Sequence, residues 1–175
     1  MRRFVLTATL AAGLFACAPK PPDFGYAYSG APLWGALTTA QQNMSNMGQY
    51  RGNPAGAALA LAQYQFILSQ IGGGGDGAGI PLASQGVIQG GDVEIRSALG
   101  VAPGVPHRVL AQALQSFGQN YQVGQSQAAL AALSPSIFPA GPQATLATLG
   151  NLPPLRSVEN ASYALTRAAG NITAR

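Results

Sequence analysis

Asn53-Pro54 opens the stretch NPAGAALALAQYQFILSQI, residues 53–71, and its reading decides the fold. Asn is a good helix N-cap, and Pro at the first helical position gives up an N–H that would be unpaired anyway. Ala57, Leu61, Tyr64, Leu68 and Ile71 recur at helical spacing, while Leu59 and Phe66 lie off that stripe. A helix apolar on most sides sits at the centre of a core. A membrane span needs about 20 predominantly apolar residues, and Gln63, Gln65, Ser69 and Gln70 interrupt this one, so a core helix is the expected reading.

Outward from this segment the pattern stays helical. Leu33 to Gln49 reads as a first helix, with Leu33, Leu37, Met44 and Met47 near one face and Trp34 as its anchor. Residues 72–79, GGGGDGAG, read as a loop. Around Gly90-Gly91 the sequence is ambiguous. The two glycines, flanked by Val87-Ile88 and Val93-Glu94-Ile95, fit a two-residue hairpin turn. A helix from Asp92, as N-cap, to Leu99, stopped by Gly100, is the preferred alternative. A further helix is expected from Pro106 to about Tyr121, with Leu110, Leu114, Phe117 and Tyr121 on its inner face. Short helices are expected over Ser126–Leu133 and Gly141–Leu149. The last helix opens at Pro153-Pro154 and runs to about Ala169. Its seam, Leu155, Val158, Ser162, Leu165 and Ala169, is spaced alternately by three and four. The expected fold is all-α: a small irregular bundle of about five to seven helices over residues 33–175, without a repeat period.

The start of the chain has a different character. Arg2 and Arg3 precede an apolar run from Phe4 to Phe15, and Leu14-Phe15-Ala16-Cys17 ends it. A basic start, an apolar run and a small residue before the cut make a secretory signal peptide. With the only cysteine directly after the small residue, the leader resembles a bacterial lipoprotein signal; Phe15 is bulkier than the residue usual at its position. The resemblance covers about the first 17 residues. It implies a signal peptide over 1–16, a lipidated Cys17, and membrane partnership through that lipid. Ala18, being other than Asp, implies sorting to the outer membrane, facing the periplasm. With Cys17 lipidated, no thiol remains for a disulfide.

Residues 17–32 read as a tether, because Pro19, Pro21, Pro22 and Pro32 favour extended chain. Phe24, Tyr26 and Tyr28 alternate with small residues within it. Together with Trp34 they form a candidate docking strip for a partner, against the plainer expectation that they pack on the protein's own body.

Composition narrows the function classes. Formal charge is +4, and removal of Arg2 and Arg3 leaves +2. Lys20, Arg51, Arg96, Arg108, Arg156, Arg167 and Arg175 are scattered, whereas a nucleic-acid binder clusters its cations. Between Arg108 and Arg156 no side chain is charged. A surface with so little charge repulsion favours self-association or an envelope protein partner.

No motif carries a reaction. Gly72, Gly74 and Gly77 have GxGxxG spacing, but a dinucleotide site needs a strand before the glycines and a helix opening after them. Asp76 alone makes no calcium site. His107, the single histidine, has no companion ligands for a metal and no GxSxG nucleophile for a triad. The triplets at Asn43, Asn160 and Asn171 match the N-glycosylation pattern, which is irrelevant behind a bacterial leader. One concentration of ionisable groups stands out: Asp92, Glu94, Arg96, His107 and Arg108. It is a candidate polar cleft, against the plainer reading that Asp92 and Glu94 cap helix starts. Arg156 and Glu159 are spaced to pair on one helix face.

These observations lead to an expected non-enzymatic interaction or scaffold module of the cell envelope, without cofactor or metal. The alternative is a carrier for an apolar ligand or lipid.

Overall fold

A computed structural model describes residues 32–71 and 80–173. The expected signal peptide, Cys17, most of the expected tether with Phe24, Tyr26 and Tyr28, and the glycine run with Asp76 lie outside the described residues. The fold is all-α. Its helices are α1 (Pro32–Thr38), α2 (Ala40–Met44), α3 (Pro54–Ile71), α4 (Leu82–Leu99), α5 (His107–Gln122), α6 (Ser126–Ala132), α7 (Pro142–Gly150) and α8 (Arg156–Thr173), with a 3-10 turn over Met47–Tyr50.

Helix α3 begins as its sequence dictates: the Asn53 side-chain oxygen accepts the Gly56 N–H at 2.9 Å. From Ala55 to Leu68 almost every residue is buried, Gln63 and Gln65 included. Alanine makes this possible, since small side chains let neighbours approach on several sides while keeping high helix propensity. The closest approach is to α5, where a Cβ at Gly118 would stand 2.7 Å from Leu59 Cγ and 3.1 Å from the Ala55 carbonyl.

Two elements differ from expectation. The first predicted helix is broken at Thr39, which raises the count to eight α-helices among the described residues. The Thr38 and Thr39 hydroxyls both donate to the Gly35 carbonyl, at 3.0 and 2.9 Å, and the Thr39 N–H reaches the same oxygen only at 3.4 Å. Side-chain donors thus compete with the helical ladder and let the chain turn. The second difference is α4, which starts at Leu82 and runs through Gly90-Gly91, so neither a hairpin nor a helix beginning at Asp92 forms. Tertiary packing overrides the local turn signal. A Cβ at Gly91 would collide with the Tyr64 ring and hydroxyl, and that hydroxyl donates to the Ile88 carbonyl at 2.6 Å. Gly91 is therefore the gap through which a buried tyrosine reaches the α4 backbone. Gly100, at φ 60°, ends α4 in the left-handed conformation expected of a C-terminal glycine.

The other elements follow the sequence within a few residues. The α5 stripe Leu110, Leu114 and Phe117 is fully buried, and the Phe117 and Tyr121 rings lie 5.3 Å apart. The α8 seam Leu155, Val158, Ser162, Leu165 and Ala169 is buried throughout, and α8 extends to Thr173.

Hydrogen bonds set the register. Tyr64 and Gln65 meet Ile88 and Asp92, so α4 crosses α3 at this level, while its length packs along α8. Gln63 donates to the Ala36 carbonyl at 2.6 Å, and Thr166 to the Leu37 carbonyl at 3.2 Å. Residues 36–37, 63 and 166 therefore share one level. The Met47 N–H, bonded to Glu159 at 3.0 Å, marks a second level nearer the start of α3. Helix α8 thus runs parallel to α3, with α1 and α2 antiparallel beside it. In consequence Pro32, Ile71, Ile80 and the end of α8 face one end of the bundle. The start of α3 and the end of α7 face the other, joined by the Gly52 N–H to Gly150 carbonyl bond at 2.9 Å.

Leu61 and Leu68 are buried, and truncation of either to Ala should cost about 2–5 kcal/mol in urea or thermal unfolding. Val93→Ala, at a site 68% exposed, should change stability by no more than about 0.5 kcal/mol. The adjacent glycines should respond with opposite sign. Gly90 faces open space, so Gly90→Ala should stabilise by about 0.5–1 kcal/mol. Gly91→Ala should destabilise by about 1–3 kcal/mol through the Tyr64 clash.

Candidate functional site

Three of the five residues of the predicted polar cleft meet, together with a fourth partner from α3. Asp92 lies on the α4 face toward α3, Arg96 one turn later, and His107 at the first position of α5. Arg96 Nε lies 2.9 Å from each Asp92 carboxylate oxygen, an i,i+4 pair, and its Nη1 donates to the Val105 carbonyl at 2.9 Å. Arg96 thereby ties α4 to the loop that leads into α5. Gln65 Nε2 donates to Asp92 Oδ1 at 2.8 Å from the buried face of α3.

That last bond fixes the protonation pattern of the histidine. With its nitrogen committed to Asp92, Gln65 presents Oε1 to His107 Nδ1 at 2.9 Å. An amide oxygen can only accept, so Nδ1 carries the hydrogen and donates it. Arg96 Nη2, 3.1 Å from Nδ1, is then a close neighbour of like polarity, and Asp92 Oδ1 stands 3.6 Å away. In the neutral ring the lone pair is left on Nε2. Burial lowers the His107 pKa below the ordinary 6.5; Asp92 opposes that shift and Arg96 reinforces it. Tyr64, one position from Gln65, has its hydroxyl pushed well above the ordinary tyrosine range by burial, with Asp92 and Glu94 adding to it.

Glu94 and Arg108 do not join this cluster. Glu94 turns to α8, where one carboxylate oxygen accepts the Ser157 and Val158 N–H groups at 2.8 and 3.1 Å. A carboxylate at a helix start satisfies unpaired donors and meets the positive end of the helix dipole. Capping is thus what Glu94 does, but for α8 rather than for its own helix. Asp92, which the plainer reading also placed at a helix start, is in mid-helix. Arg108 is exposed. Arg156 and Glu159 form no ion pair, because Glu159 reaches across to the Met47 N–H. Trp34, from the predicted docking strip, is partly buried against the core.

The sequence did not point to Gln63, Gln65 or Glu159 as long-range ties. A signal was available for the glutamines: polar residues interrupting an otherwise buried helix must find partners. Gln63 contacts the Ala36 carbonyl, the Thr39 hydroxyl at 3.0 Å and the Asn43 side-chain amide at 2.7 Å. Among the described residues, every buried side-chain nitrogen and oxygen has a partner, and each of the carboxylates, Asp92, Glu94 and Glu159, holds a second segment of the chain.

Beside the Glu94 cap lies an open groove of about 390 Å³ between α4 and the Pro153-Pro154 loop, lined by Gly90, Val93, Glu94, Ser97, Ala98 and Leu155 among others. Among the described residues, no group of three His, Cys, Asp or Glu is placed to hold a metal ion, and no helix is long and apolar enough to cross a membrane.

The chain matches no family model, no curated protein and no solved structure.

Because the His107 pKa is lower in the folded protein, the folded state binds fewer protons than the unfolded one near that pKa. The stability this contributes is present above 6.5 and is lost as pH falls through the folded value. Urea unfolding from pH 7.5 to 5 should show that decline in the wild type and a shallower one in His107→Gln. At pH 7.5, Glu94→Ala should cost about 1–2 kcal/mol by uncapping α8. Arg108→Gln should lie within about 0.5 kcal/mol of wild type.

Proposed function

We propose that this chain is a lipid-anchored envelope protein whose helical domain is a non-enzymatic interaction or scaffold module. The observation that carries the second half of this reading is the use of its carboxylates. A general acid or base must be free to meet a substrate proton. Asp92, Glu94 and Glu159 are instead bonded to another helix, a backbone N–H or a cation of the same chain. His107 is held by Gln65 on one ring nitrogen, and among the described residues no serine hydroxyl is in hydrogen-bond contact with it to complete a triad. The first half rests on the leader: Arg2, Arg3, the apolar run to Phe15, and Ala16-Cys17. By resemblance to lipoprotein signals, Cys17 becomes the lipidated first residue of the mature protein, and Ala18 directs it to the outer membrane on the periplasmic side.

Stable anchoring takes more than one acyl chain, each CH₂ contributing about 0.8 kcal/mol when buried in the bilayer. A scaffold held in this way gains local concentration at the membrane without needing a large interface of its own. The alternative, carriage of an apolar ligand or lipid, would draw on the groove beside Val93 and Pro154. Its open form favours a passing segment over an enclosed ligand.

Metabolic labelling with a radioactive fatty acid tests the anchor. The wild type should carry label and sediment with membranes, and Cys17→Ser should carry none and remain unprocessed or be released. Unlabelled wild-type protein would contradict the reading. For the module itself, in-cell cross-linking should give discrete adducts with an envelope protein or with a second copy, and turnover of a substrate by the purified protein would refute it.

A further inference from the structure

The outer ridge of α8 is Arg156, Asn160, Tyr163 and Arg167, all exposed and spaced by four, three and four residues. On one side of it packs α4, through the Glu94 cap; on the other pack α1 and α2, through Thr166 and Leu37. The exposed residues of those flanks are uncharged: Gln41, Gln42 and Asn46 on one side, Gln89, Val93 and Ser97 on the other. Among the described residues no carboxylate is exposed, whereas Arg51, Arg108, Arg156 and Arg167 are. Arg156 and Arg167 form no ion pair there. Arg156 also occupies the first turn of α8, where the helix dipole disfavours a cation, so helix stability does not account for it. Tyr163, 46% exposed between the two arginines, adds the amphipathic ring that favours the water–lipid boundary.

The chain's exit point bears on what this ridge meets. Pro32 begins α1, which lies along the C-terminal half of α8 by the Leu37–Thr166 bond. It stands fifteen positions after Cys17, a span of at most about 50 Å when extended. Helix α8 is about 27 Å long, so a bilayer holding Cys17 is within reach of the whole ridge.

We propose that the α8 ridge docks on an anionic phospholipid surface, the one in which the Cys17 lipid is embedded. This proposal rests on the lipid-anchor reading. Two cations add little attraction for a free protein, but an anchored one needs only a modest local bias to lie down. Docking would orient the bundle, with α8 toward lipid and α5 away from α8.

The test uses the full chain, isolated from membranes and reconstituted into vesicles, with an environment-sensitive fluorophore on Asn160→Cys or, as control, on the exposed site Val123→Cys. Vesicles are phosphatidylcholine alone or mixed with phosphatidylglycerol. Flotation with phosphatidylcholine vesicles reports the anchor separately; failure to float removes the anchor reading and this proposal with it. Given flotation, the Asn160 probe should shift to apolar-environment emission on the anionic vesicles only, and added salt should reverse the shift. The Val123 probe should stay aqueous on both. Arg156→Gln with Arg167→Gln should lower the docked-to-free ratio about thirtyfold, about fivefold for each arginine. An aqueous Asn160 probe on anionic vesicles overturns the proposal. If that probe is nonetheless shielded on whole envelopes, the ridge meets an acidic protein instead of lipid.

Discussion

The structure depends on the burial of one helix. Helix α3 has neighbours on nearly every side, and α1, α5 and α7 each pack on it directly. Its sequence sets the conditions for this. Alanines at 55, 57, 58, 60 and 62 leave room for other backbones, and Leu61, Ile67 and Leu68 supply apolar area that surrounding helices exclude from water. Burial on all sides leaves no solvent face for polar side chains. Gln63, Tyr64 and Gln65 must therefore be satisfied from outside the helix, and the groups that satisfy them set how the neighbours sit.

From this constraint the polar interior follows. Gln63 binds the carbonyl end of α1, Tyr64 the backbone of α4 through the gap at Gly91, and Gln65 both Asp92 and His107. A buried donor or acceptor left unpaired costs about 1–3 kcal/mol, so each partner specifies a position as well as a contact. In a chain with few charges, the described carboxylates are used in the same way. Asp92 joins α4 to α3 and to the start of α5, Glu94 holds the start of α8, and Glu159 holds the 3-10 turn.

Much of the fold was legible because local and global signals agree over α3, α5 and α8. There a cap or proline start and a long apolar stripe point to one element. Legibility failed where tertiary contacts reversed the local preference. Gly90-Gly91 reads as a turn, yet only Gly91 has a packing reason, and that reason is a tyrosine from another helix. Thr38 and Thr39 read as ordinary helix interior, yet their hydroxyls crowd one carbonyl. The candidate site was half legible. The grouping of Asp92, Arg96 and His107 follows from their nearness in sequence, whereas Gln65 is distant in the chain and Glu94 turns to a helix whose start lies far beyond it. The proposed anchor at Cys17 and the candidate strip Phe24, Tyr26 and Tyr28 are read from sequence pattern.

The central claim is that α3 is the axis on which the other helices are organised. Native-state hydrogen exchange by NMR measures it most directly, because an amide in the axis can open only when the whole bundle opens. The account predicts that amides from Ala58 to Leu68 are the slowest in the protein, exchange with the free energy of global unfolding, and share its denaturant dependence. The exposed first turn of α6 should exchange through smaller openings. Exchange of the α3 amides through local opening, well below the global free energy, while α5 or α8 stayed protected, would contradict it.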